Sequence, residues 1–252
     1  MRLFGILCAF ATTLISSAAW SKIVIQVGDS ADQPPFTISS TSGLSRETTE
    51  LLNTVQDKYE FRFMEIPSKR LRIMIASGDL DLIAYDNPKW GWKRDLIVAS
   101  TPLIENKDLF FTLQGEKAAE VLNQVGKIPI SVVNGFHYEF ANYKKDKETY
   151  AANQMTATES EKIVVKMVVN HRTPLGIISS AYRGYLRRFQ AKTFNKLTFS
   201  KTPDHSYTRH FLLRKSSPLS IAELDSYIEK IFENNSYQDL IQSYKLREDL
   251  PK

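Results

Sequence analysis

Apolar and polar positions along the chain alternate between a two-residue and a helical rhythm. Residues 22–27 (KIVIQV) are β-branched and predict a strand. Gly43-Leu44 opens a predicted helix over 45–56, with Leu44, Thr48, Leu51, Leu52 and Val55 at helical spacing. Tyr59–Ile66 (YEFRFMEI) alternates apolar with charged side chains, as a strand does. Pro67-Ser68 begins a second helix through Ala76, and Gly78 stands where a helix C′ residue takes positive φ cheaply. Leu80 and residues 82–85 are mostly apolar and suit a strand covered on both faces. This β-α-β-α-β order predicts a parallel α/β unit with helices on both faces.

The rhythm continues through 97–111 and into LFFTL (109–113), a long crossing strand. A second α/β series follows. It has a helix over 116–125, a strand over 128–133 and a loop at 134–138 entering a helix over 139–145. A short strand over 151–156 comes next. Thr158 with Glu161 three residues on reads as a capping box, opening a helix to Asn170. Strands over 175–179 and 197–200 flank a helix over 182–189, and residues 208–214 (TRHFLLR) form a further strand. The tail, 220–245, predicts two amphipathic helices, with Leu224, Tyr227, Ile228, Ile231 and Phe232 on one face and Leu240 and Ile241 in the second. It is expected to return to the first unit. The fold class is therefore α/β in two lobes, 22–112 plus 201–252 and 113–200, joined by two crossings near Thr112 and Lys201.

Residues 1–21 stand apart. Arg2, an apolar run over 3–15 without acids, and the small residues of SSAAWS have the layout of a secretory signal peptide. Cleavage is expected after Ala19 or Ser21, and no later run reaches the length of a membrane span. The lone cysteine, Cys8, lies inside this leader, so the mature chain has no thiol chemistry or disulfide. Hydrophobic content of 42% with 24% charged residues allows a full core. The net charge of +5 is spread out, and its densest cluster, Lys69-Arg70-x-Arg72, lies on a predicted helix. That pattern suits a solvated face rather than a nucleic-acid partner. His137, His171, His205 and His210 are scattered without metal-ligand spacing, and no cofactor motif is present.

The richest chemistry lies at Asp86-Asn87-Pro88-Lys89-Trp90-Gly91-Trp92-Lys93-Arg94. Two Trp, three cations and an acid behind a strand make a good place to hold a small ligand. Asp86 follows the strand as a polar contact, and Tyr85 ends it. Trp90 and Trp92 read as cleft walls.

Several marks together resemble a family, the extracytoplasmic solute-binding proteins of ABC uptake systems, polar-amino-acid type. These are Pro34-Pro35-Phe36, Gly43-Leu44, Pro67-x-x-Arg70-Leu71, Gly78-x-x-Asp81, Ser100-x-Pro102 and Val133-x-Gly135, in this order over most of the mature chain. The resemblance implies the type II two-lobed fold with a hinge and a cleft for one small solute. It implies a monomer in the periplasm and an inner-membrane ABC permease or membrane sensor as partner. Phe36 would wall the ligand. The carboxylate-gripping cation would fall at Lys93 or Arg94, and guanidinium chemistry favours Arg94. Backbone N–H groups from Gly135 through Phe136 to Tyr138, at a helix start, would meet the same carboxylate. The family's acid for a ligand amine has no counterpart in 175–179, while the added aromatics suit a flatter or more apolar solute.

Plainer readings stand beside these. Phe36 suits a core plug, Arg70 a surface ion pair, and Asp81 the end of a helix–strand turn. Asn234-x-Ser236 is a three-residue pattern common by chance. No Gly-x-Ser-x-Gly elbow or phosphate loop is present, so a non-enzymatic role is expected. A dehydratase-like enzyme on the same scaffold is the alternative, with Glu65 and Glu139 as its nominated acids.

Overall fold

The computed structural model describes residues 21–250. The expected leader, apart from Ser21, lies outside the described residues. The elements in chain order are β1 (Ile23–Ser30), α1 (Leu44–Thr54), β2 (Tyr59–Ile66), α2 (Ser68–Ser77), β3 (Leu82–Asp86), β4 (Ile97–Ala99) and β5 (Ile104–Leu113). Then come α3 (Ala118–Leu122), β6 (Ile130–Val133), a 3-10 turn (Glu139–Ala141), α4 (Lys147–Ala152), β7 (Met155–Thr158), α5 (Glu161–Val169) and β8 (Leu175–Ser179). The chain closes with α6 (Ser180–Phe189), α7 (Ala191–Phe194), β9 (Leu197–Phe199), β10 (Ser206–Arg214), α8 (Ile221–Glu233), α9 (Ser236–Ser243) and a 3-10 turn at Arg247–Asp249.

In the first half, β1 lies between β2 and β3 in parallel, and β10 adds antiparallel to β3 and β4. In the second half, β6 lies between β7 and β8 in parallel, and β5 adds antiparallel to β8 and β9. Strand β5 serves both halves, and β10 links it to the first. Residues Ile104 to Lys107 of β5 pair with β10, whereas Asp108 to Phe111 pair with β8. Asp108 is thus the residue at which the chain changes halves. Each half has apolar clusters on both faces of its sheet, as the near-continuous apolar strands require.

Helices α8 and α9 bury Leu224, Tyr227, Ile228, Ile231, Tyr237 and Ile241 in the first-half core. Ser220 and Glu223 form a capping box that starts α8. The last turn then reaches the second half, where Leu246 packs on Gly184 and Ser180 Oγ donates to Asp249 Oδ1 at 2.5 Å.

Several local expectations change. The run from 97 breaks into β4 and β5 around Pro102, which has no N–H for a ladder. The helix expected over 139–145 is a single 3-10 turn, ended by Asn142 and Tyr143 at φ 52° and 59°, and α4 follows it. Helix α5 starts at Glu161, with Ser160 and not Thr158 as its N-cap. Glu161 makes no capping box, because its Oε1 accepts from Ser179 N at 2.5 Å.

Candidate functional site

A cleft of about 820 Å³ lies between the two halves, floored by β5 and β10. Its centre is Arg209 on β10, a buried guanidinium. Carbon Cζ of Arg209 lies 4.4 Å from the Phe36 ring centroid, 4.8 Å from Trp90 and 5.6 Å from Tyr207. Trp90 meets Tyr207 edge-on, 5.3 Å between centroids. Three ring faces therefore hold one cation, a favourable arrangement when desolvated. Arg209 Nη1 donates to the carbonyl oxygen of Tyr85 at 2.8 Å, while Nε is buried without a partner among the described residues. Tyr85 holds φ at 48°, uncommon for a residue with a side chain, and its carbonyl serves Arg209.

Four carboxyls share this space. Asp29 ends β1 and accepts from Ser30 N at 2.6 Å, from Thr37 Oγ1 at 3.4 Å and from Ser45 Oγ. Burial raises its pKa to about 7 in spite of these bonds. Asp86 ends β3, and burial pushes its carboxyl up as well. Asp108, at the change of halves, accepts from Tyr207 Oη at 3.1 Å. Burial raises it to about 6, with His205 opposing. Burial raises Glu161, at the start of α5, to about 7. His205 Nδ1 stands 3.2 Å from Asp204 and 3.7 Å from Asp108. Burial works against the His205 cation, but these acids outweigh it and raise its pKa.

The structure brings Phe36, Tyr85, Asp86, Trp90, Trp92, Gly135 and Phe136 together around the cleft. The Tyr85 ring itself points into the core, with its Oη 2.7 Å from Thr48 Oγ1 and 3.0 Å from Tyr237 Oη. Trp92 is buried in a first-half cluster, and Arg72 stacks over it at 4.3 Å. Arg72 also donates to the carbonyls of Trp90 and Gly91, both at 2.7 Å, which fixes the Trp loop.

Three nominated residues lie outside the lining. Arg70 and Arg94 are solvent-exposed, because the α2 and loop positions that carry them face outward. Tyr138 is buried in the second-half core, its Oη accepting from Val133 N at 3.0 Å. Of the N–H groups from Gly135 to Tyr138 expected to meet a carboxylate, that of Phe136 donates to Val133 O at 3.3 Å. Just beyond them, Glu139 N and Phe140 N donate to Asp204 at 2.7 and 2.9 Å, so a side chain of the protein takes the anion position at the 3-10 turn. The acids nominated for chemistry, Glu65 and Glu139, are exposed and outside the lining. Asp81 holds a turn, accepting from Gln26 N at 3.1 Å and from Arg214 Nη2 at 2.7 Å. Sequence reasoning missed Arg209, Asp29, Asp108 and Glu161.

No family model and no curated protein matches the sequence. Solved structures do resemble it. The arginine-, lysine-, histidine-binding protein ArtJ from Geobacillus stearothermophilus superposes with TM-score 0.66 at 17% identity, covering 92% of this chain and 97% of that one. The GluR0 ligand-binding core from Nostoc punctiforme, in complex with L-glutamate, gives 0.69 at 14% identity, covering 88% and 99%. The ancestral amino-acid-binding protein AncCDT-1, a precursor of cyclohexadienyl dehydratase, gives 0.67 at 14% identity, covering 88% and 95%. The chain has the fold of these proteins, the type II periplasmic binding protein architecture.

Proposed function

We propose that this chain is an extracytoplasmic solute-binding protein that captures one small polar or aromatic solute in the cleft around Arg209. The observation that carries the reading is the aromatic clamp. Phe36, Trp90 and Tyr207 hold a guanidinium at the floor of a cleft between two halves. A fixed, desolvated cation with flanking ring faces binds a carboxyl group or a planar solute with little reorganisation. The two halves act as two lobes, with the first crossing at Asp108 rather than near Thr112. The partner switch within β5 is the natural hinge, and contacts made only in the closed form drive closure. Two of the structural relatives named above, an arginine-, lysine-, histidine-binding protein and a ligand-binding core in complex with L-glutamate, support this reading. The protein works as a monomer in the periplasm and delivers to an inner-membrane ABC permease, or to a membrane sensor that reads the closed form.

Thermal-shift screening of the mature chain against a solute library tests it. A solute at a hundred times its Kd stabilises by about 2.7 kcal/mol. The shift is expected with the wild type and lost in the Trp90→Ala, Arg209→Met double variant. A library without a single stabilising solute counts against the reading.

A second reading rests on the carboxyls. Glu161, raised to about 7, is suited to act as a general acid in a dehydratase-like reaction. Turnover of a prephenate-like acid, lost in Glu161→Gln, would favour it over binding alone.

A further inference from the structure

We infer that the segment from Tyr244 to Asp249 is a strap that ties the two halves together beside the crossing strands and restrains their rotation. The inference rests on the hinge reading above and names what holds that hinge.

The strap is anchored in the first half. Tyr244 and Leu246 are buried in the first-half core, and Tyr244 Oη donates to Glu47 of α1. Helix α9 ends in a Schellman turn, with Lys245 at φ 62°. Lys245 N donates to Gln242 O at 2.9 Å and Leu246 N to Ile241 O at 3.0 Å. That turn redirects the chain onto α6.

Helix α6 belongs to the second half, where Tyr182 and Leu186 are buried in the core. Its residues 180, 183, 184, 187 and 188 are three and four apart and form one stripe. Each of them meets the tail. Arg183 Nη2 donates to Glu248 Oε2 at 2.9 Å, and Arg187 Nη2 to Lys245 O at 2.5 Å. Arg188 Nη1 donates to Ser243 Oγ at 3.1 Å, and its Cζ lies 4.4 Å from the Tyr244 ring centroid. Gly184 has no room for a Cβ beside Leu246. Ser180 Oγ donates to buried Asp249 at 2.5 Å and accepts from Lys107 N at 3.0 Å. Lys107 immediately precedes Asp108, where β5 changes halves, so one hydroxyl joins the strap to the hinge strand itself.

An exposed ion pair such as Arg183–Glu248 contributes little alone. Here buried Leu246 and Asp249 already fix the segment, so the arginine links do not have to order a free tail. Rotation of the halves about β5 and β10 moves α6 relative to α1 and α9, and these links must shift together. The strap therefore favours one lobe angle, and a solute that closes the cleft works against it.

Double electron–electron resonance on the mature protein, without solute, tests this. Spin labels go on Glu120→Cys in α3 and Glu229→Cys in α8, both exposed; the only native cysteine is Cys8 of the expected leader. The Arg183→Ala, Arg187→Ala, Arg188→Ala triple variant is expected to broaden the distance distribution roughly twofold or more. Arg183→Glu is expected to broaden it in part, and Glu248→Arg added to it to restore the wild-type width. This charge exchange decides the matter if the triple variant loses its wild-type circular dichroism. A distribution that is unchanged or narrower in folded variants overturns the inference, as does broadening by Arg183→Glu that Glu248→Arg does not reverse. Because no solute is present, either result leaves the solute-binding reading to the thermal-shift screen, and a screen without a hit leaves the strap standing.

Discussion

The guanidinium of Arg209 lies 4.4 Å from the centre of the Phe36 ring, which ties the second crossing strand to the loop after the first strand. A residue of β10 and one of the Pro-Pro-Phe loop thereby share one buried contact. The same guanidinium is held by Tyr85 O, so three segments of the first half meet on one side chain. Arg209→Lys keeps the charge but loses the planar stack and the fork of donors. Chemical denaturation is expected to show a loss of about 1–3 kcal/mol. An unchanged midpoint would mean that the clamp contributes nothing to the free protein.

Trp90 is only half-buried, and it closes the clamp from the side of the cleft. Trp90→Ala is expected to weaken solute binding roughly 10- to 100-fold, an aromatic anchor of about 1.5–3 kcal/mol, with little change in the far-ultraviolet spectrum. Titration of a solute selected by thermal shift reads this directly.

The buried carboxyls set a pH dependence opposite to that of an ion-paired surface. Asp29 and Glu161 are raised to about 7 and Asp108 to about 6, above their unfolded values. The folded state therefore holds more protons than the unfolded chain between about pH 4.5 and 7.5. Stability is greatest at the acid end of that window and is lost as pH rises through these pKa values. His205, also raised, loses stability in the same direction. The Tm of the unliganded protein is expected to fall by roughly 3–8 °C from pH 5 to pH 7.5. Glu161→Gln flattens the slope. A Tm that climbs over this range would contradict the electrostatics of the cleft.

Two close approaches allow sharper tests of packing. Gly43 has φ 134°, and a Cβ there would lie 2.3 Å from Phe36 O, so Gly43→Ala strains the loop that positions the ring. A loss of about 2–4 kcal/mol is expected. At the tail, Leu246 is fully buried against Gly184 of α6. Leu246→Ala is expected to cost about 2–4 kcal/mol and to loosen the last turn from the second half, seen as faster amide exchange at Arg247–Asp249.

Much of the framework was legible because its signals are local. Gly78 does end α2 in a left-handed turn, with φ 90° and its N–H bonded to Met74 O. Of the loop after β3, Trp90 and Trp92 line the cleft, while its cations Lys89, Lys93 and Arg94 are exposed. Arg209 was not legible in the same way. Its strand, TRHFLLR, has the composition of an ordinary half-exposed strand, and the three rings around it come from distant segments. The one local signal is period-two alternation, which puts Arg209 on the same face as Tyr207. A cation on an aromatic strand face requires a partner, and that alone could have pointed to it. Glu161 misled for a related reason. A Thr-x-x-Glu pattern predicts a capping box, but α5 starts at Glu161 itself with Ser160 as its N-cap, and the carboxyl accepts from Ser179 N instead. Guanidinium chemistry favours Arg94, yet it and its neighbour Lys93 are both exposed and outside the cleft lining.

The central claim is that a small solute binds in the cleft through Arg209. Isothermal titration of the wild type and of Arg209→Met, with one solute chosen by thermal shift, tests it most directly. The predicted result is one site per chain in the wild type and at least a hundredfold loss in a variant that keeps the wild-type circular dichroism spectrum. Equal affinity in the two proteins would contradict it.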